Sequence, residues 1–216
     1  MRSMRDIRRR IRSVRSTQKI TRAMRVIATS RLRKAQRNAL TNRAFTAAVW
    51  DAIQEIGSHQ VSSPFWRPRH EGQLCYIVIG ADRGLCGAYS TNILRSFLES
   101  EGAGEGIHVA IGRRLESQLR FRDISIDYYE ESGDLPSPDQ AERIANYVLP
   151  LFMAGEVKEI TLLYTEFINI PNREVRIVKL LPLDEFRTEK ARQDLLWEPS
   201  EEAVFGRLVH HYITSL

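Results

Sequence analysis

Between Met1 and Ile56 the chain contains no glycine and no proline; the first of each are Gly57 and Pro64. With neither helix breaker present, nothing in the backbone interrupts a helix over that span, which at ~1.5 Å per residue would reach about 84 Å. Cysteine is scarce as well. Cys75 and Cys86 could form one bridge at most and lack paired zinc spacing, which excludes a disulfide framework and makes a reducing compartment the simpler setting. The five histidines, His59, His70, His108, His210 and His211, form no His-Glu-x-x-His element and no Cys/His cluster, so no metal site is expected. Long apolar runs are missing too. The longest, around Tyr76 to Ile79, falls far short of the ~20 residues a bilayer requires, and no secretory signal is present.

Acidic residues are nearly absent from the opening. Met1 to Arg43 carries fifteen Lys or Arg against the single Asp6, a surplus of +14 in a chain whose total is +5, so the remainder carries −9. A segment this basic calls for an acidic or phosphate-rich surrounding, or for water. Its Arg-rich composition is that of an organellar transit peptide, but a seven-residue repeat runs through it from Met4 to Ile56, and a segment destined for removal has no reason to share that register. The repeat places Ile7, Ile11, Val14, Leu32, Val49 and Ile53 on one seam, with Gln18, Thr21 and Arg25 as its polar interruption. Such a pattern predicts a left-handed coiled coil whose seam is buried against a partner helix, closely so at Ala28, Ala35 and Ala39. Where the seam turns polar, Ile20, Met24 and Ile27 form a second apolar stripe on a different face, marking a second neighbour near residues 20–27.

Residues 57–72, with Pro64 and Pro68, read as a linker into a second unit. There the periodicity changes. Leu74–Ile79 is a continuous apolar run suited to a strand buried on both faces, followed by the loop Gly80–Gly87 and a helix over Ser90–Ser100. A strand at Ile107–Ile111, a helix over Arg113–Phe121, a strand at Ile124–Tyr129, a helix over Pro138–Ala154 and strands at Ile160–Phe167 and Val175–Leu181 follow. Alternating strands and helices predict a mostly parallel α/β sheet, finished by an antiparallel pair around Pro171-Asn172-Arg173. After Pro199 the chain re-enters a helix, with Phe205, Val209, Tyr212 and Leu216 as a new seam. That seam ends in mid-pattern, which predicts either a fragment of a longer chain or a very short second helix.

Catalytic motifs are weak throughout. The loop Gly80–Gly87 lies between a strand and a helix N-terminus, where a nucleotide loop would lie, but it lacks a P-loop's Lys-Ser/Thr end and dinucleotide glycine spacing. A structural turn or a partner contact through Asp82, Arg83 and Gly84 is preferred there over an anion site. Cys86 has no histidine near it in sequence to act as a base and reads as a small hydrophobe. Glu130, Glu131 and Asp134 cluster near a polar turn and read as a solvated face. The basic helix has three readings: binding to nucleic acid through phosphate charge, lying on an anionic membrane, or running inside an acidic protein assembly. The membrane reading suffers from the narrow seam, and the nucleic-acid reading from the lack of interleaved aromatics, the first aromatic being Phe45.

Two motifs favour the third reading. Thr17-Gln18-Lys19-Ile20-Thr21-Arg22-Ala23-Met24 resembles the Thr-Gln-Lys-Ile-Thr-Lys-Ala-Met element in the N-terminal helix of the gamma subunits of F-type ATP synthases, with Arg22 in place of Lys. Asp82-Arg83-Gly84-Leu85-Cys86-Gly87 is similar to that family's second hallmark, and the two stand in the family's order along nearly the whole chain. The resemblance implies a long N-terminal helix (1–56) and a C-terminal helix (from 199) forming an antiparallel coiled coil, with a Rossmann-like α/β domain (73–198) between them. It implies a rotor shaft that performs no chemistry and needs no cofactor, turning inside a hexamer of alpha and beta subunits and resting on the epsilon subunit and the membrane rotor ring. Lys19, Ile20, Arg22, Met24 and Ile27 would then face the catalytic subunits' acidic loops. The implied location is peripheral, on the cytoplasmic face of a bacterial inner membrane, and no cysteine pair suggests a thiol switch. Family members continue their C-terminal helix well beyond the position of Leu216, which strengthens the expectation of a fragment or a thin upper shaft. The alternative is a basic coiled-coil protein that binds RNA or DNA, with the α/β unit as scaffold.

Overall fold

The computed structural model describes residues 4–57, 63–133, 136–169, 172–183, 198 and 200–216. Several sequence expectations lie outside these residues: the helix entry at Pro199, the turn residue Pro171, Asp134 of the acidic cluster, and His59. The first helix, α1, runs unbroken over Met4–Gly57. By compactness the chain divides after Ala44, so that the last turns of α1 belong with the second unit, Phe45–Leu216.

The second unit is a five-stranded sheet of β1 (Gln73–Ile79), β2 (Ile107–Ile111), β3 (Tyr128–Glu130), β4 (Val157–Phe167) and β5 (Arg173–Leu181), in the order β3-β2-β1-β4-β5. β1 pairs in parallel with β2 and β4, β2 pairs in parallel with β3, and only β5 runs antiparallel, beside β4. The central position of β1 accounts for its unbroken apolar sequence, because both of its faces are covered. Cys75 and Ile77 point to one layer, packed on α4 (Pro138–Ala154) and α5 (Glu201–Ser215), and Tyr76 and Val78 point to the other, packed on α2 (Tyr89–Leu98) and α3 (Arg113–Arg120).

Local chemistry sets the helix ends. Ser137 caps α4 by accepting from Gln140 N at 3.2 Å, Pro138 follows at its first position, and Gly155 closes it in the left-handed conformation, φ 84°. Ser200 caps α5 in the same way through Ala203 N, and Glu201 and Glu202 fill its first turn. Glycine is required where α3 meets the sheet: Gly112 has φ 104°, and a side chain there would strike the carbonyl carbon of Gly80 at 2.8 Å.

Three sequence expectations are corrected. The strand over Ile124–Tyr129 shrinks to Tyr128–Glu130. Asp123 turns the chain with φ 57°, and Asp127 spends its carboxylate on the backbone N–H of His108, so ladder pairing begins only afterwards. The expected linker contributes to the core: Phe65 and Trp66 sit in a 3-10 turn over Pro64–Trp66, with Trp66 stacked on Phe205 at 5.0 Å and Phe65 on Phe152 at 6.1 Å. On α5 the buried row is Phe205, Val209 and Ile213 in place of the narrower seam ending at Leu216, which stays 46% exposed. A row spaced every four residues suits a helix that packs on α4 and on the end of α1 together.

Within the second unit, Val49, Ile53 and Ile56 of α1 join that same core cluster. Trp50 meets Tyr212 at 4.9 Å between ring centroids, and Thr46 donates to Ser215 Oγ at 3.0 Å. Rising numbers on α1 therefore meet falling numbers on α5, so the two run in opposite directions. His210 Nε2, 2.9 Å from Glu142 Oε1, ties α5 to α4.

Candidate functional site

Two surfaces carry the residues singled out from sequence. The first is α1 before Phe45. Lys19 and Arg22 are exposed, and Ile20, Met24 and Ile27 are 59%, 51% and 54% exposed. Helical spacing of four and three brings these three apolar side chains onto one face, with Lys19 and Arg22 beside it. Thr21, a polar residue of the seam, is made less polar by its own helix, as are Thr17 and Thr29 beside the seam. Thr17 and Thr21 donate to the carbonyls of Ser13 and Thr17 at 3.1 and 2.9 Å, and Thr29 does the same to Arg25 at 2.9 Å. A hydroxyl bonded back into its helix leaves the methyl as the outward group. The seam itself is split: Val49 and Ile53 are in the core, whereas Ile7, Ile11, Val14 and Leu32 are exposed.

The second surface is the loop Gly80–Gly87 at the carboxyl end of β1, beside the point where strand order reverses, between β1 and β4. In open α/β sheets that crevice is where ligands bind. Asp82 of this loop turns to the other side, toward the loops after β2 and β3. Its Oδ1 accepts from Arg113 N at 3.0 Å and Ser132 N at 3.1 Å, and its Oδ2 from Gly133 N at 2.6 Å. Burial pulls its pKa upward, but these three N–H groups and the charge of Arg113 outweigh that and hold the carboxyl below its ordinary value. Asp82 thus serves as the N-terminal cap that α3 lacks at Gly112, and fastens together the loops after β1, β2 and β3. Arg83 and Gly84 remain at the exposed tip, together with Leu85, which sequence reasoning did not single out. No local signal identifies the inward role of Asp82, because its partners lie 31, 50 and 51 residues away.

The remaining candidates are accounted for by packing. Cys75 is buried in β1, and burial, with the nearby Asp127 charge, pushes its thiol up to about 12. Cys86 Sγ lies 3.8 Å from Ser90 Oγ. His108 is buried between the rings of Tyr76 and Phe97, its Nδ1 2.9 Å from the Ser125 carbonyl. Glu130 is held by Arg143 at 2.6 and 3.0 Å, and Glu131 lies 3.9 Å from Arg113. Among the described residues no group of three or more His, Cys, Asp or Glu side chains is placed to hold a metal ion, and no helix is long and apolar enough to cross a membrane.

The arrangement offers exposed contact surfaces. The family model for ATP synthase matches residues 3–216. The chain is 36% identical over 220 residues to the ATP synthase gamma chain of Desulfitobacterium hafniense, spanning 99% of this chain and 77% of that one. It is 36% identical over 219 residues to the gamma chain of Desulforamulus reducens, spanning 99% and 77%. The central stalk of the Tetrahymena thermophila mitochondrial ATP synthase, solved with its c-ring, shares the fold at a TM-score of 0.65 and 21% identity, over 91% of this chain and 88% of that one. These relatives lend no support to a nucleic-acid-binding protein, and with a match along almost its whole length the chain belongs to the ATP synthase gamma chain family.

Proposed function

We propose that the chain is the rotor of the central stalk, coupling proton flow through a membrane sector to ATP synthesis or hydrolysis in a catalytic hexamer of alpha and beta subunits, without catalysing either step. The observation that carries this reading is the match to gamma chains over 99% of the chain, a span that includes the stretch holding Lys19, Arg22 and Met24. In this reading α1 pairs with the C-terminal helix as an antiparallel coiled coil, and the Rossmann-like unit between them meets the epsilon subunit and the membrane rotor ring. The subunit is peripheral, on the cytoplasmic face of a bacterial inner membrane.

The mechanism follows from where charge and apolar surface lie on α1. A shaft shifts the nucleotide affinity of a surrounding subunit only through contacts that differ between that subunit's states. Ile20, Met24 and Ile27 give such contacts at short range. Lys19 and Arg22, within a segment of +14, attract acidic loops over a Debye length without fixing one angle, since unpaired charge attraction is weakly directional. The loop carrying Asp82, Arg83 and Gly84 adds a contact from the α/β unit.

The test is recovery of the tagged chain from its source cell after nuclease treatment at moderate salt. Co-purification of a nucleotide-binding hexamer with ATPase activity is the expected result; recovery only of RNA or DNA before nuclease, and nothing after it, overturns the reading. Met24→Lys places a cation on the exposed apolar stripe. It is expected to leave assembly and ATP hydrolysis intact while lowering ATP-driven proton pumping by about tenfold.

A further inference from the structure

We propose that the arginine cluster near the start of α1 is a docking surface for the anionic face of a lipid bilayer, occupied while the chain stands outside any assembly. Five arginines, Arg8, Arg9, Arg10, Arg12 and Arg15, fall within eight residues, all of them exposed, and Asp6 is the single acidic residue before Asp51. A cluster of about four to eight Lys or Arg on an amphipathic helix is the charge pattern that anionic lipid recognises, each cation near the surface strengthening attachment about fivefold. The pattern belongs to this chain's own helix, so it does not depend on the rotor reading.

Helix geometry keeps part of this cluster outward whatever covers the seam. Met4, Ile7, Ile11 and Val14 share one side of α1, and at about 100° per residue Arg9 and Arg12 stand about 180° and 120° round from its centre. A helix packed along the seam therefore leaves both facing outward. Where the seam is open, the same four apolar side chains are 67%, 43%, 46% and 62% exposed, and they add a row that sinks into the acyl boundary between the flanking Arg10 and Arg15. That row is narrow, so charge supplies most of the attachment. A bilayer suits this segment better than nucleic acid does: a phosphate backbone makes no use of an apolar row, and no aromatic residue precedes Phe45 to stack on bases. Residues 44–216 carry −9, so the same surface repels them and the contact stays with the basic segment.

The experiment sediments the full chain, purified free of other subunits and treated with nuclease, with vesicles of equal parts phosphatidylcholine and phosphatidylglycerol and with vesicles of phosphatidylcholine alone. Binding is expected to the first and not to the second. It should fall steeply as salt rises from about 0.1 M to about 1 M, which shortens the Debye length from about 10 Å to about 3 Å. Arg8→Gln, Arg9→Gln and Arg12→Gln together are expected to weaken binding about a hundredfold. Arg95→Gln, Arg114→Gln and Arg122→Gln, the same loss of charge from exposed positions of the second unit, should leave it unchanged. Far-UV circular dichroism of both triple variants is expected to match that of the unaltered chain, since all six positions are exposed. Equal binding to the two kinds of vesicle, equal losses from the two triple variants, or binding seen only before nuclease treatment overturns the proposal. The rotor reading is judged separately, by recovery of the hexamer, so either can fail alone.

Discussion

Ile11 and Ile53 are the same residue type on the same helix, six heptads apart and on the same seam, yet Ile11 is 46% exposed and Ile53 is fully buried. Val14 and Ile56 repeat the contrast at the same spacing. The difference lies in what faces each position: around Ile53 stand Phe205, Val209 and Ile213 of α5 and the packed row of α4. A heptad pattern specifies which side chains are to be covered and is silent on what covers them. In the second unit the covering surface is part of the same chain; for residues before Ala44 it is not found among the described residues.

The largest expected effect separates the two regions directly. Ile53→Ala removes side-chain atoms from a packed core and is expected to destabilise the isolated chain by about 2–5 kcal/mol. Ile11→Ala is expected to stay within about 0.5 kcal/mol, because an exposed side chain has little burial to lose. Urea unfolding followed by the fluorescence of Trp50 and Trp66, both in the second unit, measures the first; far-UV circular dichroism measures the second. Equal costs at the two positions would break the comparison.

A smaller effect is expected at Asp82. Asp82→Ala leaves α3 without its cap and is expected to cost about 0.5–2 kcal/mol, as other N-cap losses do. The folded chain holds this carboxyl below its ordinary value, so its stabilising contribution is complete above the unfolded value and is lost as pH falls through the folded one. The acid limb of a stability profile should therefore flatten in Asp82→Asn, while the neutral and alkaline limbs keep their shape. An unchanged acid limb would mean that the three N–H bonds do not depend on the charge.

Much of this fold can be read from residue order. β2 and α4 have the limits read from the sequence, Ile107–Ile111 and Pro138–Ala154, because the change from apolar run to turn to helical pattern is a local signal. What escapes sequence reasoning depends on distant segments. The inward turn of Asp82 needs the loops after β2 and β3 to arrive, and the burial of Phe65 and Trp66 needs α4 and α5. Ile213 displaces Leu216 because α5 meets two helices at once, which no spacing within α5 reveals. On the candidate surfaces, spacing alone groups Ile20, Met24 and Ile27, whereas the exposure and backbone conformation of Leu85 become visible only in three dimensions.

The smallest effect tests the remaining difference, that of charge. On α1, Arg5 and Arg9, Arg8 and Arg12, Arg15 and Lys19, and Arg33 and Arg37 are like charges one turn apart. Each such pair opposes the helix by about 0.2–0.5 kcal/mol. Raising salt from about 0.01 M to about 1 M shortens the Debye length from about 30 Å to about 3 Å and removes most of that repulsion. The helical dichroism of a peptide spanning residues 4–44 is therefore expected to rise with salt, while the unfolding midpoint of the second unit, carried by burial, shifts much less. A peptide whose helix weakens in salt would show that attractive pairs outweigh the repulsion, and the basic segment would then be electrostatically satisfied within itself, with less charge left to draw an acidic neighbour.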